Sequence, residues 1–196
     1  MAAPKILVLF YSTYGTNHRI EETAARAAEA TGAEVRLRRA AETAPEAVVE
    51  AQDAWRSQLQ AMQDIPEAAP DDMVWADGYF VSAPTRYGGA ASQLRAFIDT
   101  LGPIWQEGKL ADKTFTATTS AQNTHGGQEQ TILSLYTTAM HWGAIIVAPG
   151  YADPVKFEDG GNPYGFSTRA GGLDETGEKS VAFQARRLVE FTARLI

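Results

Sequence analysis

Residues 5–17 read K-I-L-V-L-F-Y-S-T-Y-G-T-N, an apolar run that passes without a break into a short polar turn. The run from Lys5 to Tyr11 has no polar alternation, so it reads as a strand buried on both faces, which is the pattern of a parallel sheet's interior. It is too short to cross a membrane. Between Thr16 and Thr31, Ile20, Ala24, Ala27 and Ala28 fall on one helical face, while Arg19, Glu22, Arg26 and Glu29 fall on another. Strand, polar turn and amphipathic helix make the first half of a βαβ unit.

The same rhythm continues outward. Gly32 stops the helix, and Ala33 to Arg38 alternates in the manner of an edge strand. From about 40 to 72 the chain turns to alanine, glutamate, glutamine and proline, and reads as an insertion with a helix through Val48 to Met62 containing Trp55. Gly78 to Ala83 is the third strand, and Ala91, Leu94, Phe97, Ile98 and Leu101 form a helical stripe behind it. Thr114 to Thr119 is the fourth strand, a helix spans about Gln128 to Trp142 with Gly143 as its cap, and Ala144 to Ala148 is the fifth strand. A long loop over about 150–177 precedes a closing helix through Val181 and Leu195.

A central first strand beside an edge second strand predicts an α/β fold in one domain, 1–196. Its five-stranded parallel sheet is doubly wound in the flavodoxin-like order 2-1-3-4-5, with helices on both faces. Such sheets bind ligands beyond the carboxyl ends of their strands, which directs attention to Ser12–Asn17, Pro84–Gly88 and Ser120–Gly127.

Composition narrows the chemistry. The 196 residues are 44% hydrophobic and 21% charged, as expected of a soluble globular chain. Lys plus Arg total 17 against 24 Asp plus Glu, a net charge of −7, which argues against nucleic acid as a partner. With no cysteine there is no disulfide, thiolate metal site, iron–sulfur ligation or thiol nucleophile, so redox chemistry has to come from a bound cofactor. His18, His125 and His141 lack the local spacing of a metal site, so no metal is expected. The lack of a signal peptide or membrane segment points to the cytoplasm.

The turn Ser12, Thr13, Tyr14, Gly15, Thr16, Asn17 offers short hydroxyls, a glycine and the free N–H groups of a helix start, which are the donors that a phosphate monoester needs. It has no lysine and no G-x-x-x-x-G-K, and no G-x-G-x-x-G, which excludes a nucleoside-triphosphate loop and a dinucleotide fingerprint. The same residues also suit a ligand-free turn and cap. The segment S-A-P-T-R-Y-G-G at 82–89 has a proline-started backbone suited to the edge of a planar heteroaromatic ring; Arg86 equally suits a surface ion pair. The loop at 120–131, S-A-Q-N-T-H-G-G-Q-E-Q-T, places amide and hydroxyl donors before a helix, where they suit negative charge on a ring or a solvated turn.

Taken with G-P-I-W-Q-E-G-K-L, H-W-G and G-N-P-Y-G, these motifs resemble the flavodoxin-like NAD(P)H:quinone oxidoreductases of the WrbA type, in the same order over nearly the whole chain. The resemblance implies a homotetrameric FMN enzyme that takes hydride from NADH or NADPH and delivers two electrons to a quinone. Ser12 to Asn17 would hold the FMN phosphate, with Tyr14 also near the nicotinamide, and Thr85, Arg86 and Tyr87 would border the isoalloxazine. Ala121, Gln122, Asn123, Thr124, His125, Gly126 and Gly127 would follow its pyrimidine end. His141 would lie at the flavin, also as a catalytic proton donor, and Trp105 would wall the quinone side. The insertion and the long loop are the expected subunit contacts. Two other readings use the same fold: a flavodoxin-type electron carrier, and a flavin-free regulatory binding module.

Overall fold

The computed structural model describes residues 2–196. In chain order the elements are β1 (Lys5–Phe10), α1 (Thr16–Glu29), β2 (Glu34–Arg39), α2 (Glu46–Glu50), α3 (Asp53–Ala61), α4 (Pro70–Trp75), β3 (Gly78–Arg86) and β4 (Gly89–Ala90). There follow α5 (Ser92–Asp99), α6 (Gly102–Gln106), β5 (Thr114–Ala121), α7 (Gln128–His141), β6 (Ile145–Ile146), a 3-10 turn (Pro154–Phe157), β7 (Ser167–Arg169) and α8 (Glu175–Ala193). The parallel sheet runs β2-β1-β3-β5-β6, which is the flavodoxin-like order expected.

Alternation along β1 builds a core on each face of the sheet. Ile6 and Val8 pack with Ile20, Ala24, Val181 and Leu188 under α1 and α8. Leu7, Leu9 and Tyr11 pack with Leu94, Phe97, Ile132 and Leu135 under α5 and α7. Both faces of β1 are covered, which is why its sequence carries no polar alternation.

Two expectations change in the structure. The helix expected through Val48 to Met62 is two helices, α2 and α3, interrupted where Gln52 adopts an extended conformation. The fifth strand does not run through Ala144–Ala148 as a unit. Ile145 and Ile146 pair with Thr114 and Phe115, the chain leaves after Val147, and it returns from within the expected loop as β7 beside Thr119, Ser120 and Ala121. Gln184 on α8 closes the space between the two half-strands. Its amide donates to Thr116 Oγ1 at 2.7 Å and to the Ala117 carbonyl at 3.0 Å, and its oxygen accepts from Phe166 N at 2.8 Å. Gly165 passes so close that a Cβ there would stand 2.0 Å from the Ala117 oxygen.

One face of β5 is a column of buried hydroxyls: Thr114, Thr116, Thr118 and Ser120. Thr114 bonds Thr192 at 2.5 Å, Thr116 accepts from Gln184, and Ser120 donates to Asn17 Oδ1 at 2.5 Å. At the Thr118 level stands Glu21 of α1, fully buried, with neither carboxyl oxygen hydrogen-bonded. Burial drives its pKa well above the usual carboxylate range, and the Thr118 hydroxyl offsets only part of that.

The neutral acid therefore stabilises the fold fully below the ordinary carboxylate pKa of 4.5, and that contribution is lost as pH rises toward the folded-state value. Glu21→Gln should match the parent at pH 4 and exceed it at pH 8 by on the order of 1 kcal/mol in urea denaturation. A stability difference that does not change with pH would show that the Glu21 carboxyl has the same pKa folded as unfolded.

Candidate active site

The β1–α1 turn is built around Gly15, which caps α1 at φ +94, a conformation that glycine adopts without steric cost. Three hydroxyls surround it, and each one accepts a hydrogen bond from within the chain. Ser12 Oγ accepts from Gly15 N at 3.1 Å, Thr13 Oγ1 from Arg86 Nη2 at 2.8 Å, and Thr16 Oγ1 from Gly171 N at 2.8 Å. Each hydroxyl keeps its own rotatable proton as a donor. The first-turn N–H groups of α1 have no intrahelical acceptor.

Below the turn, the Asn17 side chain points into the protein. Its amide donates to Ser82 Oγ at 2.7 Å and its oxygen accepts from Ser120 Oγ, so it ties α1 to the ends of β3 and β5. Asn17 therefore braces the turn, and only its backbone N–H faces outward. Thr85 is likewise buried, bonded to Thr119 Oγ1 at 3.0 Å, and positions the loop after β3. That loop meets the loop after β5 glycine to glycine: a Cβ on Gly127 would lie 2.9 Å from Gly88 Cα.

The result is a cleft of about 870 Å³ at the carboxyl ends of the strands. Ser12, Thr13, Tyr14, Thr16 and Asn17 line it from the turn, Arg86 and Tyr87 from the β3 loop, and Ala121 and Gln122 from the β5 loop. Tyr87 holds φ +51, a strained backbone for an aromatic residue, and its ring is fully exposed at the rim. The volume, the planar aromatic rim and an anion-donating turn at one end fit a flavin carrying a monophosphate.

The rest of the β5 loop lies elsewhere. Thr124, His125 and Gly127 line a second cleft of about 730 Å³ together with Arg169. Asn123 accepts from Gln128 Nε2 through its carbonyl at 2.8 Å, and Gly126 N donates to Gln128 Oε1 at 2.9 Å. The loop therefore divides between two clefts and does not follow one throughout. Trp105 and His141 sit at the far end of α7, where Trp105 Nε1 donates to the His141 carbonyl at 3.0 Å. α7 rises about 20 Å from Gln128 to His141, and neither His141 nor Trp105 is among the residues that line the cleft.

Sequence reasoning missed Glu42. Its carboxylate accepts from Tyr11 OH at 2.7 Å, Trp55 Nε1 at 2.9 Å, Gln93 Nε2 at 2.8 Å and Ala44 N at 2.9 Å. Burial opposes its charge, but these four donors outweigh it and hold the carboxyl below the usual range. The burial of Tyr11, reinforced by this carboxylate, raises the phenol pKa. Trp55 and Gln93 are thus fixed as cleft wall. The lone tryptophan in an alanine- and glutamate-rich segment was the available signal.

Sheet order and the cleft at the carboxyl ends of its strands together define a flavodoxin-like protein. Residues 4–154 match the model of the NADPH-dependent FMN reductase family. An NAD(P)H dehydrogenase (quinone) of Deinococcus radiodurans is 55% identical over the whole of both chains, and one of Geotalea uraniireducens is 38% identical over 97% of this chain and 98% of its own. A WrbA-like flavodoxin structure from Agrobacterium tumefaciens superposes with a TM-score of 0.72 at 20% identity, covering 99% of this chain and 100% of that one. The chain belongs to the NADPH-dependent FMN reductase family, and within it to the WrbA-type NAD(P)H:quinone oxidoreductases.

Asn17→Leu should unfold about 3 kcal/mol more easily than the parent in urea, because it strands the Ser82 and Ser120 hydroxyls in the core. A loss under about 0.5 kcal/mol would mean that the brace is dispensable.

Proposed function

We propose that the protein reduces quinones to hydroquinones with NADH or NADPH, two electrons at a time, using FMN held in the 870 Å³ cleft, with the two substrates taking turns at one site. The observation that carries this reading is the set of three hydroxyls, Ser12, Thr13 and Thr16, gathered around the α1 N-terminus at the cleft, each accepting one hydrogen bond from within the chain and keeping a proton that can be given to an anion. The family and the 55% identical quinone dehydrogenase support it. FMN, when bound, supplies the hydride chemistry, and no protein nucleophile is needed.

The chain's own work is position and electrostatics. Gly15 and the α1 N-terminus seat the phosphate, and Arg86, anchored on Thr13 Oγ1 and the Thr85 carbonyl, adds a fixed cation beside it. Tyr14, Trp55 and Tyr87 give the opening aromatic faces on which planar rings can stack. Gln122 stands at the end assigned to the ring's pyrimidine edge, where an amide donor favours negative charge.

Trp105 and His141 enter this reading as residues supplied by a second copy in a homotetramer. Trp105 and Met140 are exposed at 51% and 59%, together with His141, on a corner that one chain leaves uncovered. The Trp105 ring would wall the quinone side, and His141 would orient or protonate the quinone oxygen. No helix among the described residues is long and apolar enough to cross a membrane, and the enzyme is placed in the cytoplasm as part of the same proposal.

An anaerobic titration of the FMN-loaded protein with NADH, and in parallel with NADPH, followed by absorption and then by benzoquinone, tests the reading. Bleaching by a nucleotide and full recovery on quinone addition is the expected course. Failure of both nucleotides to bleach, with a persistent one-electron state under a chemical reductant, would favour the electron carrier. Intersecting double-reciprocal lines would remove the alternation of substrates.

The subunit contribution has its own check. Trp105→Ala and a turn variant, Gly15→Val, should each lose quinone reductase activity alone and regain part of it when the two are unfolded and reassembled together. No recovery from mixed oligomers, or a monomer in gel filtration, would place Trp105 outside the site.

A further inference from the structure

α3 has no fully buried residue of its own, only the half-buried Trp55 and Leu59 and the buried Met62 at its C-cap. Three polar contacts fix its position. Tyr14 OH donates to Gln52 Oε1 at 2.7 Å, Trp55 Nε1 donates to Glu42 Oε2, and Gln58 Nε2 donates to His18 Nδ1 at 3.0 Å. Positions 52, 55 and 58 recur every third residue, so one stripe of the helix faces the β1–α1 turn.

Two of the residues it contacts, Tyr14 and His18, flank Gly15. With the Gln58 amide nitrogen committed to His18, its oxygen is turned toward the turn, 2.7 Å from where a Cβ on Gly15 would stand. His18 is fixed in turn. Its ring stacks on Phe10 with centroids 5.4 Å apart and planes at 4°, and because Nδ1 accepts, its proton lies on Nε2, toward Glu22 Oε1 at 3.6 Å. Beside Gly15, just outside the residues that line the cleft, thus stands a neutral amide whose oxygen points at the helix start.

We propose that α3 is a selectivity wall at the phosphate end of the cleft and that Gln58 is its specificity-determining residue, admitting a flavin whose phosphate is terminal and excluding one whose phosphate continues into a second nucleotide. The proposal rests on the FMN reading of the cleft. A dinucleotide flavin needs a second phosphate beyond the first, and that path leads into Gln58 and the α3 stripe. The amide there carries no charge to neutralise a second phosphate, and its oxygen repels phosphate oxygens. A terminal monoester sits on the cleft side of Gly15 and meets only donors.

The test is fluorescence titration of apo-protein with riboflavin, FMN and FAD. The parent should prefer FMN to FAD by about a hundredfold. Gln52→Ala combined with Gln58→Ala should narrow that ratio about tenfold or more by tightening FAD. Gln58→Glu sets a carboxylate over the phosphate and should weaken FMN about tenfold while leaving riboflavin within about twofold. Gln52 is the N-cap of α3 and Gln58 lies within it, and riboflavin affinity within about twofold of the parent shows that α3 still holds Trp55 at the cleft, so a variant in which α3 melts is recognised by its loss of riboflavin.

Equal FMN and FAD affinity in the parent, an unchanged ratio in the double variant, or equal weakening of FMN and riboflavin by Gln58→Glu would each overturn the wall while leaving the FMN site standing. A parent that binds none of the three flavins would sink the FMN reading and the wall with it.

Discussion

The site depends on one buried amide. Asn17 has to accept from Ser120 and donate to Ser82 at once, and of the small side chains only a carboxamide offers both roles with fixed geometry. A carboxylate there would lack the donor, and an apolar residue would orphan two hydroxyls. Because β3 and β5 are joined over most of their length, fixing α1 to their ends also fixes the turn above it and the two loops that face that turn. The hydroxyls of Ser12, Thr13 and Thr16 then sit on a frame whose position is set from below.

β5 shows how a strand poor in aliphatic residues can be central. Its T-F-T-A-T-T-S-A sequence sends Phe115 and Ala117 to one core and four hydroxyl residues to the other face, where α1 and α8 supply Asn17, Glu21, Gln184 and Thr192 as partners. Polar contacts inside a core are stabilising only when complete, and three of the four levels are. The Glu21–Thr118 level is the exception. It lies one helical turn below the Asn17 brace, so its cost falls on stability and leaves the donors at the turn unaffected.

What could be read from the sequence follows from what each element has to bury. β1, its turn and α1 declare themselves because a strand covered on both faces and a helix covered on one leave unmistakable patterns. β7 leaves none: Ser167, Thr168 and Arg169 become a strand only because the far end of β5 needs a partner that β6 does not supply. α3 was legible as helix, within the expected Val48 to Met62 helix, but its docking over the turn was not, because it rests on Gln52 and Gln58, whose partners Tyr14 and His18 lie 38 and 40 residues away. The hydroxyl and glycine composition of the turn was legible, but the inward aim of Asn17 was not, because it depends on Ser82 and Ser120, 65 and 103 residues away. Trp105 and His141 were recognisable as residue types, yet their place at the far end of α7 follows only from helix length.

The turn proposed to receive the phosphate has no lysine or arginine of its own, on a chain of net charge −7. At physiological salt the screening length is about 8 Å, so distant acidic side chains count for little at the α1 N-terminus. What counts is within a few ångströms: the helix dipole, three hydroxyls and Arg86, whose guanidinium is held by Thr13 and by the Thr85 carbonyl and not by an acid. An arginine paired with a carboxylate would have its charge cancelled at this point. Anchored on neutral oxygens, Arg86 keeps its full charge facing the cleft, so local geometry outweighs the sign of the whole molecule.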